Sequence, residues 1–289
     1  FYRYSDLITM SEEEVGKCTV QNSGTFNCQL KINETTFLFS HLGVYRIYLF
    51  VEPGKTYNLA LPDKEEKTEA QRLNPYFRET DLFVGITNID KKDINYLISS
   101  FDLAFNEKFD IIINDTYKGK SNINIDSLIS SVEGLYSKFN QSYFRIYRDY
   151  RYGLLKQLTY IQKARVTSEK YFLNKPIKYN NTAFMELFNL VYDKYFIFFG
   201  RTETGKAVFK NITEEKSLYN LKKTLSTDNV LSNDTLKELV ILKGLHDGFY
   251  EDKFSRSALL TILDSLYFTS KIPEHLVIAE NIKEKVTHL

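Results

Sequence analysis

The sequence predicts an α+β chain: a small antiparallel β-sandwich-like domain over residues 1–62, a connector over 63–92 and an all-α helical domain over 93–289. Three observations predict it. Up to about residue 62 apolar residues alternate with polar ones, and from about residue 90 they recur at helical spacing. Between the two lies DKEEKTEAQRLNPYFRETD, charged, aperiodic and interrupted by Pro75.

FYRY, at the start, reads as the interior of a strand, so an upstream segment is expected. FYRYSDLITM does not lead an apolar run with basic residues, as a signal peptide does. Cys18, Val20, Phe26, Cys28 and Leu30 then alternate with polar neighbours on either side of Asn22-Ser23-Gly24, the pattern of a hairpin. TTFLFSHLG and VYRIYLFVEPG form a second pair about Gly43, and YNLALP closes the meander after Pro53-Gly54. The acidic runs Glu12-Glu13-Glu14 and Glu65-Glu66 read as solvated loops.

Beyond the connector, Ile94, Leu97, Ile98, Phe101, Phe105, Phe109 and Ile112 make one helical stripe, with Asp90 or Asp93 placed to cap it. INIDSLISSVEGLYSKF, YFRIYRDYRYGLLKQLTYIQ, TAFMELFNLVYDKYFIFF, SLYNLKKTL, DTLKELVILKGLHDGFY, SALLTILDSLYF and PEHLVIAENIKEKV continue the series. Ser232 or Asn233 and Ser255 occupy cap positions, and Pro273 suits a first helical turn. The spacing is irregular and matches no helical-repeat consensus.

Composition narrows the function classes. Of 289 residues, 43% are hydrophobic and 26% charged, the balance of a soluble globular protein. A formal charge of +1 gives no long-range field that favours a polyanion, so no nucleic acid is expected as a partner. The longest candidate for a membrane span, YFIFFG, is far too short, and no span is expected. Twenty-two Phe and 21 Tyr with no Trp suit core filling, with Tyr hydroxyls at the rim. Asn-x-Ser/Thr triplets such as Asn33-Glu34-Thr35 and Asn211-Ile212-Thr213 are those chance supplies in an Asn-rich chain.

Little points to chemistry. His41 lies in a strand and His246, His275 and His288 on separate helical segments, without a metal-ligand spacing, so neither metal nor cofactor is expected. His246 and Asp247 are adjacent, but consecutive helix residues point about 100° apart and are not expected to form a relay. GRTETGKAVF lacks the first glycine of a phosphate loop and carries Ala after the Lys. Arg145, Arg148 and Arg151 interleave with tyrosines as a stacking surface for single strands would. Their spacing by three and the neutral chain favour pairing with acidic residues of a neighbouring helix instead.

Cys18 and Cys28 are the only cysteines, and nine intervening residues separate them from the C-x-x-C redox spacing. A three-residue loop Asn22-Ser23-Gly24, with Gly24 left-handed, sets Gln21 opposite Thr25 and Cys18 opposite Cys28. They are then either a structural disulfide or two free thiols in the core, on adjacent strands and sharing the buried face of Val20 and Phe26.

Several stretches in order resemble one family. VEPGKTYNLALP, RLNPYF, YFLNKPIKYNNTAFMELFN, LSNDTLKELVILKGLHDGFYEDKFSRSALLTILDS and KIPEHLVIAENI are similar to the non-catalytic N-terminal portion of TlpA-like thiol–disulfide oxidoreductases from Bacteroidetes. In that family a β-sandwich and a helical region precede a thioredoxin-like domain carrying C-x-x-C. This chain ends at KVTHL, about where such a domain would start, and no catalytic residue can be carried over. The resemblance implies that the chain is not itself an enzyme but an accessory or positioning region of a redox parent. Its partner would be the parent's own thioredoxin-like domain or an envelope protein. It also implies a periplasmic or cell-envelope location, where a disulfide can persist. The alternative expectation is a ligand- or peptide-binding envelope protein that uses an aromatic groove between the domains.

Overall fold

Strands come first along the chain and helices follow. The computed structural model describes residues 1–119, 124–159 and 163–287. Its strands are β1 (Tyr2–Tyr4), β2 (Glu12–Glu14), β3 (Thr36–Leu42), β4 (Tyr45–Val51), β5 (Leu59–Ala60), β6 (Thr80–Phe83) and β7 (Gly85–Ile86). Five make one sheet in the order β2-β1-β3-β4-β6, and β5 pairs with β7.

The β3–β4 hairpin is the centre of the sheet, in register from Thr36 opposite Val51 to Leu42 opposite Tyr45. Gly43 turns it at φ +60°, and a Cβ there would lie 1.8 Å from the Glu65 carbonyl oxygen. Glycine is therefore required twice over, for the backbone and for the approach of a neighbouring segment. Period-two alternation then sorts the side chains. Leu38, Ile47, Leu49, Val51 and Val84 form a buried cluster on one face, and Tyr57, Leu59 and Ile86 from the small sheet's segments pack against it. The other face is aromatic: Tyr4 and Phe39 lie 4.7 Å apart between ring centres, and Phe37 meets Phe50 at 5.3 Å.

Three expectations need correction here. The sheet is mixed, because β6 runs parallel to β4, with Tyr45 opposite Thr80 and Tyr48 opposite Phe83. Both β6 and β7 come from the segment expected to be a plain connector, which also holds the short helix α1 (Glu69–Leu73). Leu82 and Val84 on the buried face drive that pairing, and two apolar positions among charges leave a faint period in sequence. Glu12–Glu14 is not a loop but an exposed edge strand, paired with β1. Three glutamates make an edge that repels further pairing. The third correction concerns residues 16–35, which hold no strand. A lone two-stranded hairpin without a third strand or a packed face is marginal.

The helices are α2 (Ile94–Tyr117), α3 (Ile125–Tyr136), α4 (Ser142–Leu158), α5 (Ala164–Tyr171), α6 (Thr182–Val191), α7 (Tyr195–Gly200), α8 (Ala207–Thr213), α9 (Leu218–Leu225), α10 (Asp234–Gly248), α11 (Arg256–Thr269) and α12 (Pro273–Thr287). The expected stripe on α2 is buried at Ile94, Leu97, Ile98, Phe101, Phe105 and Ile112. Asp93 accepts the Asn95 amide at its start, and Asn233 and Ser255 cap α10 and α11 as expected. One predicted helix, TAFMELFNLVYDKYFIFF, is two, broken at Lys194, whose φ is +49°. Tyr160 to Gln162 of YFRIYRDYRYGLLKQLTYIQ, Ile123 and His288 lie outside the described residues.

The chain divides into two compact units, with the border inside α2 and inside α4 and not at the expected connector. The first holds Phe1–Tyr4, Glu12–Asn114 and the described chain up to Arg145, hence both sheets, most of α2 and α3. Asn95 of α2 joins helix to sheet within it. Its Oδ1 accepts the Phe50 N–H at 2.7 Å and its Nδ2 donates to the Phe50 carbonyl at 2.7 Å, as a neighbouring strand would. The second unit holds Ser5–Ser11 and the helices from Ile146 on. There the Asp6 carboxylate accepts the Ile8 and Thr9 amides at 2.7 Å each, and Asn281 of α12 donates to it at 2.7 Å.

Candidate functional site

Cys18 and Cys28 are joined in a disulfide, with Cα atoms 5.3 Å apart. The loop that brings them together is the three-residue one: Gln21 N–H donates to Thr25 at 2.8 Å, Gly24 N–H donates back to Gln21 at 2.8 Å, and Gly24 has φ +78°. Beyond that pair the two arms are not strands, and the cysteines are half-exposed, not buried. Val20, expected to share their buried face, is 58% exposed. Only farther along do Val15, Leu30 and Ile32 reach the buried cluster of the sheet. The disulfide therefore closes a finger that the core holds only at its base. Linked to each other, neither sulfur is a nucleophile as it stands.

A second cluster, within the helical unit, was invisible in sequence. Glu238 of α10 accepts Lys222 Nζ of α9 at 2.6 Å on one oxygen. Its other oxygen accepts the Ser270 hydroxyl at 2.8 Å and faces His275 Nδ1 of α12 at 3.1 Å. His275 is fully buried, and its Nε2 lies 2.9 Å from the Tyr179 hydroxyl. A carboxylate facing Nδ1 makes that nitrogen the donor, so in a neutral ring Nε2 accepts from Tyr179. The bond from His275, against burial, and those from Lys222 and Ser270 hold the Glu238 carboxyl down at about 2. Burial, with Glu274 and Glu238 nearby, pushes the Tyr179 phenol up, so it stays a donor and not a nucleophile. Ser270 is equally committed, accepting the Ile272 amide at 3.3 Å. The arrangement cross-links α9, α10, α12 and the chain before α6. Its members lie up to 96 positions apart, and no local pattern marks them.

The remaining sequence candidates are dispersed. Arg148 is 2% exposed, and Arg151 reaches Glu186 of α6 at 3.3 Å. Tyr147, Tyr150 and Tyr152 are buried, so the interleaved segment offers no stacking surface. His246 and Asp247 come closer than helix geometry led us to expect, Nδ1 to Oδ1 at 3.4 Å, still beyond a normal N–H···O bond. Asp247 is engaged by Lys243, and it accepts the N–H of left-handed Lys194 at 3.1 Å. In the T-G-K stretch Gly205 packs on the Phe199 carbonyl, leaving no phosphate cradle. His41, in β3, bridges Glu79 and Glu12. Among the described residues no group of three or more His, Cys, Asp or Glu side chains is arranged to hold a metal, and no helix is long and apolar enough to cross a membrane.

No family model, curated protein or solved structure matches this chain.

Proposed function

We propose that this chain is a non-catalytic accessory region of a cell-envelope thioredoxin-like thiol–disulfide oxidoreductase, positioning the redox domain or a partner. The observation that carries the proposal is the state of its two cysteines. Chemistry of that class needs a thiol pair that can be presented to a substrate, and here the only pair is joined ten positions apart, in a finger. A disulfide of this kind persists in an oxidising compartment. The ordered run of family-like stretches, and strands that precede the helices along the chain, supply the rest of the reading. Much of the aromatic density that would motivate a ligand-binding protein goes into core ring-on-ring contacts such as Tyr150 with Phe184 at 4.6 Å, so that alternative has no observation of its own.

The test is a reductase assay on this chain alone beside a longer chain that carries the expected C-terminal domain. Turnover of a disulfide substrate by the longer chain only is expected. Turnover by residues 1–289 alone would overturn the proposal.

A further inference from the structure

His41 sits on the aromatic face of the sheet's central strand, and both of its ring nitrogens face carboxylates. Nδ1 lies 2.5 Å from Glu79 Oε2, and Nε2 lies 3.1 Å from Glu12 Oε2. A neutral imidazole has one N–H and one lone pair, so it satisfies one carboxylate and repels the other. Only the imidazolium donates to both. The two carboxylates belong to opposite sides of the sheet: Glu12 is on edge strand β2, and Glu79 immediately precedes β6 at the other edge.

The other charged and titratable groups around the ring are already committed. Arg46, opposite His41 on β4, is held by Asp81 at 2.6 and 2.8 Å and by the Tyr4 hydroxyl at 2.6 Å. Lys67 donates to Glu79 at 2.7 Å, on the oxygen that His41 does not use. Tyr2 of β1 presents its ring to the imidazole at 5.6 Å between centres. From these positions we infer that His41 is a proton-operated clasp: charged, it ties β2 to the segment that enters β6 across the five-stranded sheet, and on losing its proton it lets go of Glu12.

Glu12 is the arm released because its bond is the longer, and the remaining N–H stays with Glu79. Strand β2 is three exposed residues at the sheet edge, paired with β1 and tied to it by Arg3 Nε on Glu13 at 2.9 Å, so release of Glu12 loosens this edge without detaching it. Burial lowers the affinity of His41 for its proton, but the bonds to Glu79 and Glu12 outweigh burial, and the net shift is upward from 6.5. A group raised in this way contributes its stabilisation fully below its ordinary value and loses it as the pH climbs through the raised one. The clasp is thus closed at mildly acid pH and opens on the alkaline side.

The experiment is nuclear magnetic resonance of the ring nitrogens in the intact chain, with His41 assigned through His41→Gln. Both nitrogens are expected to be protonated at mildly acid pH, with a midpoint above the ordinary 6.5 that falls in Glu12→Gln. Amide exchange at residues 12–14, corrected for the intrinsic pH dependence, is expected to speed up about threefold across that midpoint, the factor an exposed ion pair supports. In His41→Gln it stays fast at every pH. A midpoint at or below 6.5, or exchange at residues 12–14 that ignores the titration in the wild type, would overturn the clasp.

Discussion

Replacing both cysteines, Cys18→Ser with Cys28→Ser, separates two views of the staple. The chain-entropy model gives roughly 3 kcal/mol for closing so short a loop, provided the folded chain stays closed without the bond. The structure argues that it does not. Between residues 16 and 30 the finger's own backbone bonds are the two that join Gln21 to Thr25 and Gly24 to Gln21, and each such bond contributes about 1 kcal/mol. With the disulfide gone, the folded finger frays and recovers much of the same entropy that the unfolded chain recovers. The loss in global stability is therefore expected to be about 1 kcal/mol, well short of the ~3 kcal/mol of loop closure. Urea unfolding followed by helical circular dichroism measures it, and amide exchange at residues 17–29 should rise sharply in the same variant. A loss near the full loop-closure value, with protection at 17–29 unchanged, would mean instead that contacts hold the finger in place without the bond.

Three further outcomes follow from the packing. Asn95→Leu strands the buried N–H and C=O of Phe50, at about 1–3 kcal/mol for each unsatisfied group, and should be among the most damaging single changes in the first unit by urea midpoint. Gly244→Ala places a Cβ 2.6 Å from the Phe196 ring, and the overpacking between α10 and α7, about 1–3 kcal/mol, should exceed the gain in helix propensity in thermal melts. A carboxyl held below its unfolded value stabilises the fold above that value, and the contribution disappears as the pH falls toward the folded one. Between the ordinary carboxyl value of 4.5 and about 2, stability should therefore fall less steeply in Glu238→Gln than in the wild type. Parallel acid-unfolding profiles would remove the His275–Glu238 bond from the account.

What was legible in the sequence was local. Gly24 fixed the loop of the finger, and the loop fixed Cys18 opposite Cys28. Asn233, Ser255 and the Ile94–Ile112 stripe marked helices because caps and the 3.6 period need only near neighbours. The failures are the non-local cases. Period two at residues 18–30 suggested strands, but a strand is made by a partner and a packed face, and the finger has neither. Leu82 joins the sheet only because β4 lies beside it in parallel, a pairing that no turn signal announces. The His275–Glu238 bond and the Asn95 bridge join residues 37 and 45 positions apart, and in sequence each of these polar side chains looks like one that faces water.

Whether this chain is the non-catalytic part of a larger redox protein, as proposed, is read from the coding sequence that follows the codon for Leu289. A strand–helix pattern carrying C-x-x-C is the predicted result. A stop codon directly after Leu289 would contradict the claim, since no redox domain would remain for this chain to position.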